Sequence, residues 1–147
     1  MRFDLLRQGI NGVLSSPCHD RPSISRKRVE RMTEAVNRIV DLDHLARYTG
    51  GDRAINAEVM RLFDSQANDL VARLQSILDA RDAKSWKEVT HTLKGAARGI
   101  GAFAMGDAAA RCEPLDLSDR AGAAAAIAAL KTRADDVQTF IRDYLAG

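Results

Sequence analysis

From Ile55 to Leu78 apolar residues recur at spacings of three and four: Ile55, Val59, Leu62, Phe63, Ala67, Leu70, Leu74, Ile77 and Leu78. That is the period of an α-helix with one apolar stripe, and here it persists for roughly seven turns. Arg53, Glu58, Arg61, Asp69 and Arg73 occupy the other faces. A stripe this long must be buried, and the chain offers only further helices to bury it. Trp86, Val89, Leu93, Ala97 and Ile100 make a second stripe. Phe103, Met105, Ala108, Ala109 and Cys112 make a shorter one, and Ile127, Leu130, Ala134, Val137, Ile141 and Leu145 make the last. Asp79 to Asp82, Gly99-Ile100-Gly101, and Pro114 with Asp116 separate these segments. No strand-like alternation and no internal repeat competes with this pattern. The expected fold is all-α, an antiparallel four-helix bundle.

A short additional N-terminal helix precedes the bundle and covers one end of it. Apolar residues from Ala35 to Ala46 support one helix or two short pieces, with Asp41 or Asp43 capping the second. Gly50-Gly51 stops it, and Asp52 is placed to cap the long helix. Residues 1–31 stand apart. Two prolines, a serine-rich turn region and the run Arg26-Lys27-Arg28 mark them as a basic, flexible extension, with 32–147 as the bundle. A basic docking or targeting arm is the alternative for that segment.

The net charge of +2 is unevenly shared. Residues 1–31 hold seven Lys or Arg against three acids, which leaves fifteen basic and seventeen acidic groups for the bundle. A body of that balance lacks the broad basic surface that displaces counterions, so nucleic-acid binding is excluded as its function. No run of eighteen uncharged apolar residues occurs, which argues against a membrane span. Cys18 and Cys112 fit no zinc-ligand spacing and read as free thiols of a cytoplasmic protein.

Within Trp86 to Gly101, His91 falls about 160° around the helix from the apolar stripe. Lys84, Lys87, Glu88, Lys94, Gly95 and Arg98 share its face, so the imidazole is expected in water on a mostly basic strip. A hydrolytic nucleophile or general base needs an orienting partner and a pocket, and one helix supplies neither beyond Glu88. No HxxxH or HExxH spacing suggests a metal site, and Lys94 would oppose a dication. A phosphoryl acceptor fits better. Imidazole is substantially unprotonated near neutral pH, Lys94 one turn on can stabilise the anionic product, and Gly95 leaves the neighbouring surface bare. Glycine inside a helix costs roughly 1 kcal/mol relative to alanine, so its place beside His91 invites a functional reason.

His91-Thr92-Leu93-Lys94-Gly95, with Ala96-Ala97, Ile100-Gly101-Ala102 and then Glu113, closely resembles the histidine-containing phosphotransfer (HPt) domain. The resemblance takes in Gly50-Gly51-Asp52, Phe63 and Asp82 to Trp86, and so covers roughly residues 41–145. It implies that His91 accepts a phosphoryl group from the aspartyl phosphate of a response-regulator receiver domain and passes it to another receiver. It implies that Lys94 stabilises the phosphate, that Gly95 gives steric access, and that Gly101 marks the joint to the next helix. Glu113 stands where the family often carries a polar residue near the histidine. Lys84, Lys87, Glu88 and Arg98 are candidate docking residues, against the plain alternative of a solvated face. A hybrid histidine kinase is a possible further partner, Mg²⁺ is expected in the receiver, and no cofactor is expected in this chain. Gly99-Ile100-Gly101 follows no strand, so no ATP site is read, and a monomeric carrier is expected, not an enzyme with its own kinase activity. Two alternatives stay open: a non-catalytic bundle that titrates a regulator, and a stand-alone enzyme with a deep pocket beside His91.

Overall fold

The computed structural model describes residues 26–28 and 39–147. By contacts the chain divides into two units, Met1–Thr33 and Glu34–Gly147. In the first, residues 26–28 are helical and exposed. The extension expected over 1–31 otherwise lies outside the described residues, as does the part of the Ala35 to Ala46 pattern before residue 39.

In the second unit, the described residues form five helices and no strand: α1 (Leu42–Thr49), α2 (Arg53–Asp79), α3 (Ala83–Ile100), α4 (Phe103–Cys112) and α5 (Arg120–Ala146). Local chemistry fixes four of the starts. Asp41, Asp52, Asp82 and Asp119 each turn a carboxylate onto a free backbone N–H of the first turn, at 3.0 Å to His44, 2.8 Å to Ala54, 3.1 Å to Ser85 and 3.0 Å to Gly122. Helix α4 has no side-chain cap. Its N-cap, Ala102, follows Gly101, whose left-handed φ of 88° closes α3.

Helices α2 to α5 form a ring in which each touches two neighbours, and α1 lies against α2 and α3. Contacts at the helix ends show the antiparallel order. Arg120 at the start of α5 bonds Asp79 at the end of α2 (2.9 Å), and Arg53 at the start of α2 reaches the Tyr144 carbonyl near the end of α5 (2.8 Å). The Trp86 indole at the start of α3 donates to the Cys112 carbonyl at the end of α4 (2.8 Å). The core runs down the axis through Met60, Leu74, Leu78, Trp86, Leu93, Met105, Leu130 and Ile141, all within 2% of complete burial. This is the four-helix bundle with a short preceding helix that the periodicity predicts.

The stripe of α2 differs in detail. Its buried residues are Asn56, Met60, Phe63, Ala67, Val71, Leu74, Ile77 and Leu78, whereas Ile55 (48% exposed) and Leu62 (64% exposed) face outward. The first half of the helix is rotated by one position relative to the apolar pattern. Asn56 makes that possible, because its amide is satisfied inside: Thr49 donates to its Oδ1 at 2.6 Å and its Nδ2 donates to the Tyr144 hydroxyl at 3.3 Å. Phe103, expected on the stripe of α4, is also exposed and packs edge-on against His44 at 5.0 Å.

Candidate functional site

Helix α3 buries Trp86, Val89, Thr90, Leu93, Ala97 and Ile100, which turns His91 outward as expected. Its side chain is 69% exposed. The strip around it has two unlike flanks. On the flank facing α4, Lys94 Nζ lies 2.6 Å from Glu113 Oε2, and Arg98 Nη2 lies 3.4 Å from Asp107 Oδ1. The basic strip is therefore partly neutralised by acids of the next helix. Arg98 is drawn along α4 with its stem across Gly106, where an added Cβ would come within 2.8 Å of Arg98 Cγ. Lys84, Lys87 and Glu88 are exposed on the same face.

The other flank is bare. A Cβ added at Gly95 or Gly99 would meet nothing within 4 Å. Beyond these glycines lies a groove of about 430 Å³, lined by residues of α1, α2 and α3 that include Leu45, Tyr48, Ile55, Val59, Leu62 and Ala96. The outward Ile55 and Leu62 thus supply its apolar wall. His91 is not among the residues that line this groove.

Glu113 joins the site from the end of α4. It is the C-cap residue, following Cys112, whose carbonyl is held by the Trp86 indole, and preceding Pro114. From there one carboxylate serves two partners: Oε2 takes the Lys94 ammonium and Oε1 lies 3.2 Å from His91 Nδ1. The bond from Lys94, and then the one to His91, hold the Glu113 carboxyl below the usual glutamate range, against the desolvation that would raise it. An ionised carboxylate only accepts, so Nδ1 must donate. In the neutral ring the lone pair then belongs to Nε2, the outer nitrogen.

His91, Lys94 and Gly95 share one face of α3, and Glu113 links the first two of them. Gly101, at the joint, backs onto the start of α1: Asp41 donates to its carbonyl at 3.0 Å, and a Cβ there would fall 2.6 Å from the Asp41 carbonyl oxygen. His44 is half-buried between Tyr48 and Phe103, at 5.5 and 5.0 Å. His19 and Cys18 lie outside the described residues. Cys112 is buried, which pushes its thiol up to about 11. Among the described residues no three His, Cys, Asp or Glu side chains gather in a way that would hold a metal ion, and no helix is long and apolar enough to cross a membrane. The groove wall is what sequence reasoning missed, since Ile55 and Leu62 carry the same periodic signal as core residues.

The sequence matches a family model, that of the Hpt domain, over residues 58–140, more than half of the chain. That span contains His91, Lys94, Gly95 and Glu113, and is narrower than the resemblance at 41–145. Neither the curated proteins nor the solved structures compared gave a match.

Proposed function

The chain belongs to the Hpt domain family, whose modules carry phosphoryl groups on histidine in two-component systems, and from that premise we propose that His91 is the carrying residue. Hpt domains work with receiver domains, as carriers and not as self-contained enzymes. In the proposed step the Nε2 lone pair of His91 attacks the phosphorus of a receiver's aspartyl phosphate. The bond between phosphorus and the carboxylate oxygen breaks, and its electron pair leaves with the aspartate. Nδ1 keeps its proton throughout, held by Glu113. Passing the group to a second receiver reverses each event. The Mg²⁺ that neutralises the transferring oxygens belongs to the receiver, and this chain contributes no cofactor.

The observation that carries this reading is the held imidazole. It is exposed on a rigid helix, hydrogen-bonded through Nδ1, and set beside a lysine and a glycine with open space above it. The groove of Tyr48, Ile55, Leu62 and Ala96 next to Gly95 supports docking of the receiver across α1, α2 and α3. Lys84, Lys87, Glu88 and Arg98 would lie at the rim of that contact. The donor receiver belongs either to a hybrid histidine kinase or to a separate protein. The carrier acts as a cytoplasmic monomer, without nucleic acid or membrane.

The test is label transfer. Receiver domains phosphorylated with ³²P are mixed with the full chain and with His91→Gln. Label should move to the wild-type chain, be acid-labile and base-stable, and be absent from the variant. Equal labelling of both chains would overturn the assignment of His91.

A further inference from the structure

The His91 site holds one ammonium for two anions. Lys94 is only 22% exposed and its Nζ is already committed to Glu113 at 2.6 Å. A phosphoryl group on Nε2 adds a charge of about −2 beside a carboxylate that is itself ionised. Arg98, the next cation along the helix, is engaged with Asp107 at 3.4 Å. Lys94 must then be shared or surrendered.

We propose that Glu113 sets the transfer potential of phosphorylated His91, holding Lys94 back from the phosphate so that the chain hands the group on instead of storing it. This rests on His91 being the phosphoryl carrier. The chemistry is the donating half of the relay. An acceptor oxygen, of a receiver carboxylate or of water, attacks phosphorus. The P–N bond breaks, its electron pair returns to Nε2, and the ring leaves neutral because Nδ1 has kept its proton. Glu113 favours this in two ways: it holds the Lys94 ammonium away from the phosphoryl group, and its hydrogen bond keeps Nδ1 protonated, so that the leaving group is never an imidazolate. A glutamine at the same position still accepts from Nδ1–H through its carbonyl oxygen, but it carries no charge and frees Lys94. Glu113 is thus a positioning residue that acts through its two neighbours.

The experiment loads the full chain chemically with phosphoramidate, removes the donor, and follows phosphohistidine by ³¹P NMR with no partner present. Glu113→Gln should lengthen the half-life by about five- to tenfold, the scale of one charge removed at roughly 4 Å with the screening of bulk water. It should also shift the phosphoryl equilibrium with a receiver toward the carrier by a similar factor. Glu113→Ala, which leaves no side chain to misplace, should move the half-life in the same direction. Adding Lys94→Met to Glu113→Gln should abolish most of the gain, since the two residues are coupled. Half-lives in both Glu113 variants equal to or shorter than that of the wild type would overturn the inference while leaving the relay reading intact. A loaded wild-type chain that passes phosphate to no receiver would overturn the relay reading itself.

Discussion

Gly95 in the interior of α3 and Gly99 in its last turn both have open space where a side chain would stand. Neither is required by packing or by a left-handed backbone. Alanine at Gly95 should therefore stabilise the fold by about 1 kcal/mol through helix propensity, raising the unfolding midpoint. If the bare surface exists to admit a receiver, the same substitution should slow phosphoryl transfer by roughly tenfold or more, because a small displacement of the reacting atoms is costly. Stability and transfer moving in opposite directions marks a glycine kept for access. Cys112 is the opposite case, a residue whose reactivity is suppressed by its surroundings. Burial raises its thiol from 9.0 to about 11, so at pH 8 iodoacetamide should label it roughly a hundredfold more slowly in the native chain than after denaturation. A raised value means the native state holds the proton more tightly than the unfolded chain does. Its contribution to stability is complete below 9.0 and declines as pH rises toward 11, which a denaturation series over that range will show.

At the scale of elements, the joint between α3 and α4 is the sharpest constraint. Gly101 combines a φ of 88° with an approach of 2.6 Å to the Asp41 carbonyl oxygen. Gly101→Ala should destabilise by about 2 kcal/mol or more, from left-handed strain and from displacement of α1. Gly99→Ala, two residues earlier and unobstructed, should stabilise. Chemical denaturation of the two variants measures the contrast. The same distinction explains what was legible in the sequence. Helix starts were readable because capping is local: Asp52 and Asp119 bond N–H groups within three residues of themselves. The outward turn of His91 was readable because one apolar stripe fixes a helix's rotation. The rotation of the first half of α2 was not, since it depends on Asn56 meeting Thr49 and the distant Tyr144. Glu113 was visible only as a polar residue of family resemblance. Its reach to His91 and Lys94 depends on where α4 stops and on the Trp86 bond to Cys112, which no periodicity encodes.

Across the described bundle as a whole, an exposed histidine stands beside an apolar groove. Antiparallel packing brings Glu113 back to the middle of α3, while α1, anchored at Gly101, supplies Leu45 and Tyr48 to the apolar wall. Leu62 is 64% exposed in that wall, so Leu62→Glu should change stability by no more than about 0.5 kcal/mol. If the groove is where the receiver docks, the same substitution should weaken receiver binding, measured by calorimetry. Unchanged affinity would move the docking face elsewhere. In the proposed transfer the phosphoryl group travels on Nε2 of His91, with Nδ1 protonated against Glu113. Long-range ¹H–¹⁵N correlation of the phosphorylated, ¹⁵N-labelled chain reads both nitrogens of each of its three histidines directly. The expected spectrum shows phosphate coupling at Nε2 of His91 alone and a protonated Nδ1 on the same ring. Phosphate on Nδ1 of His91, or on His19 or His44 instead, would contradict it.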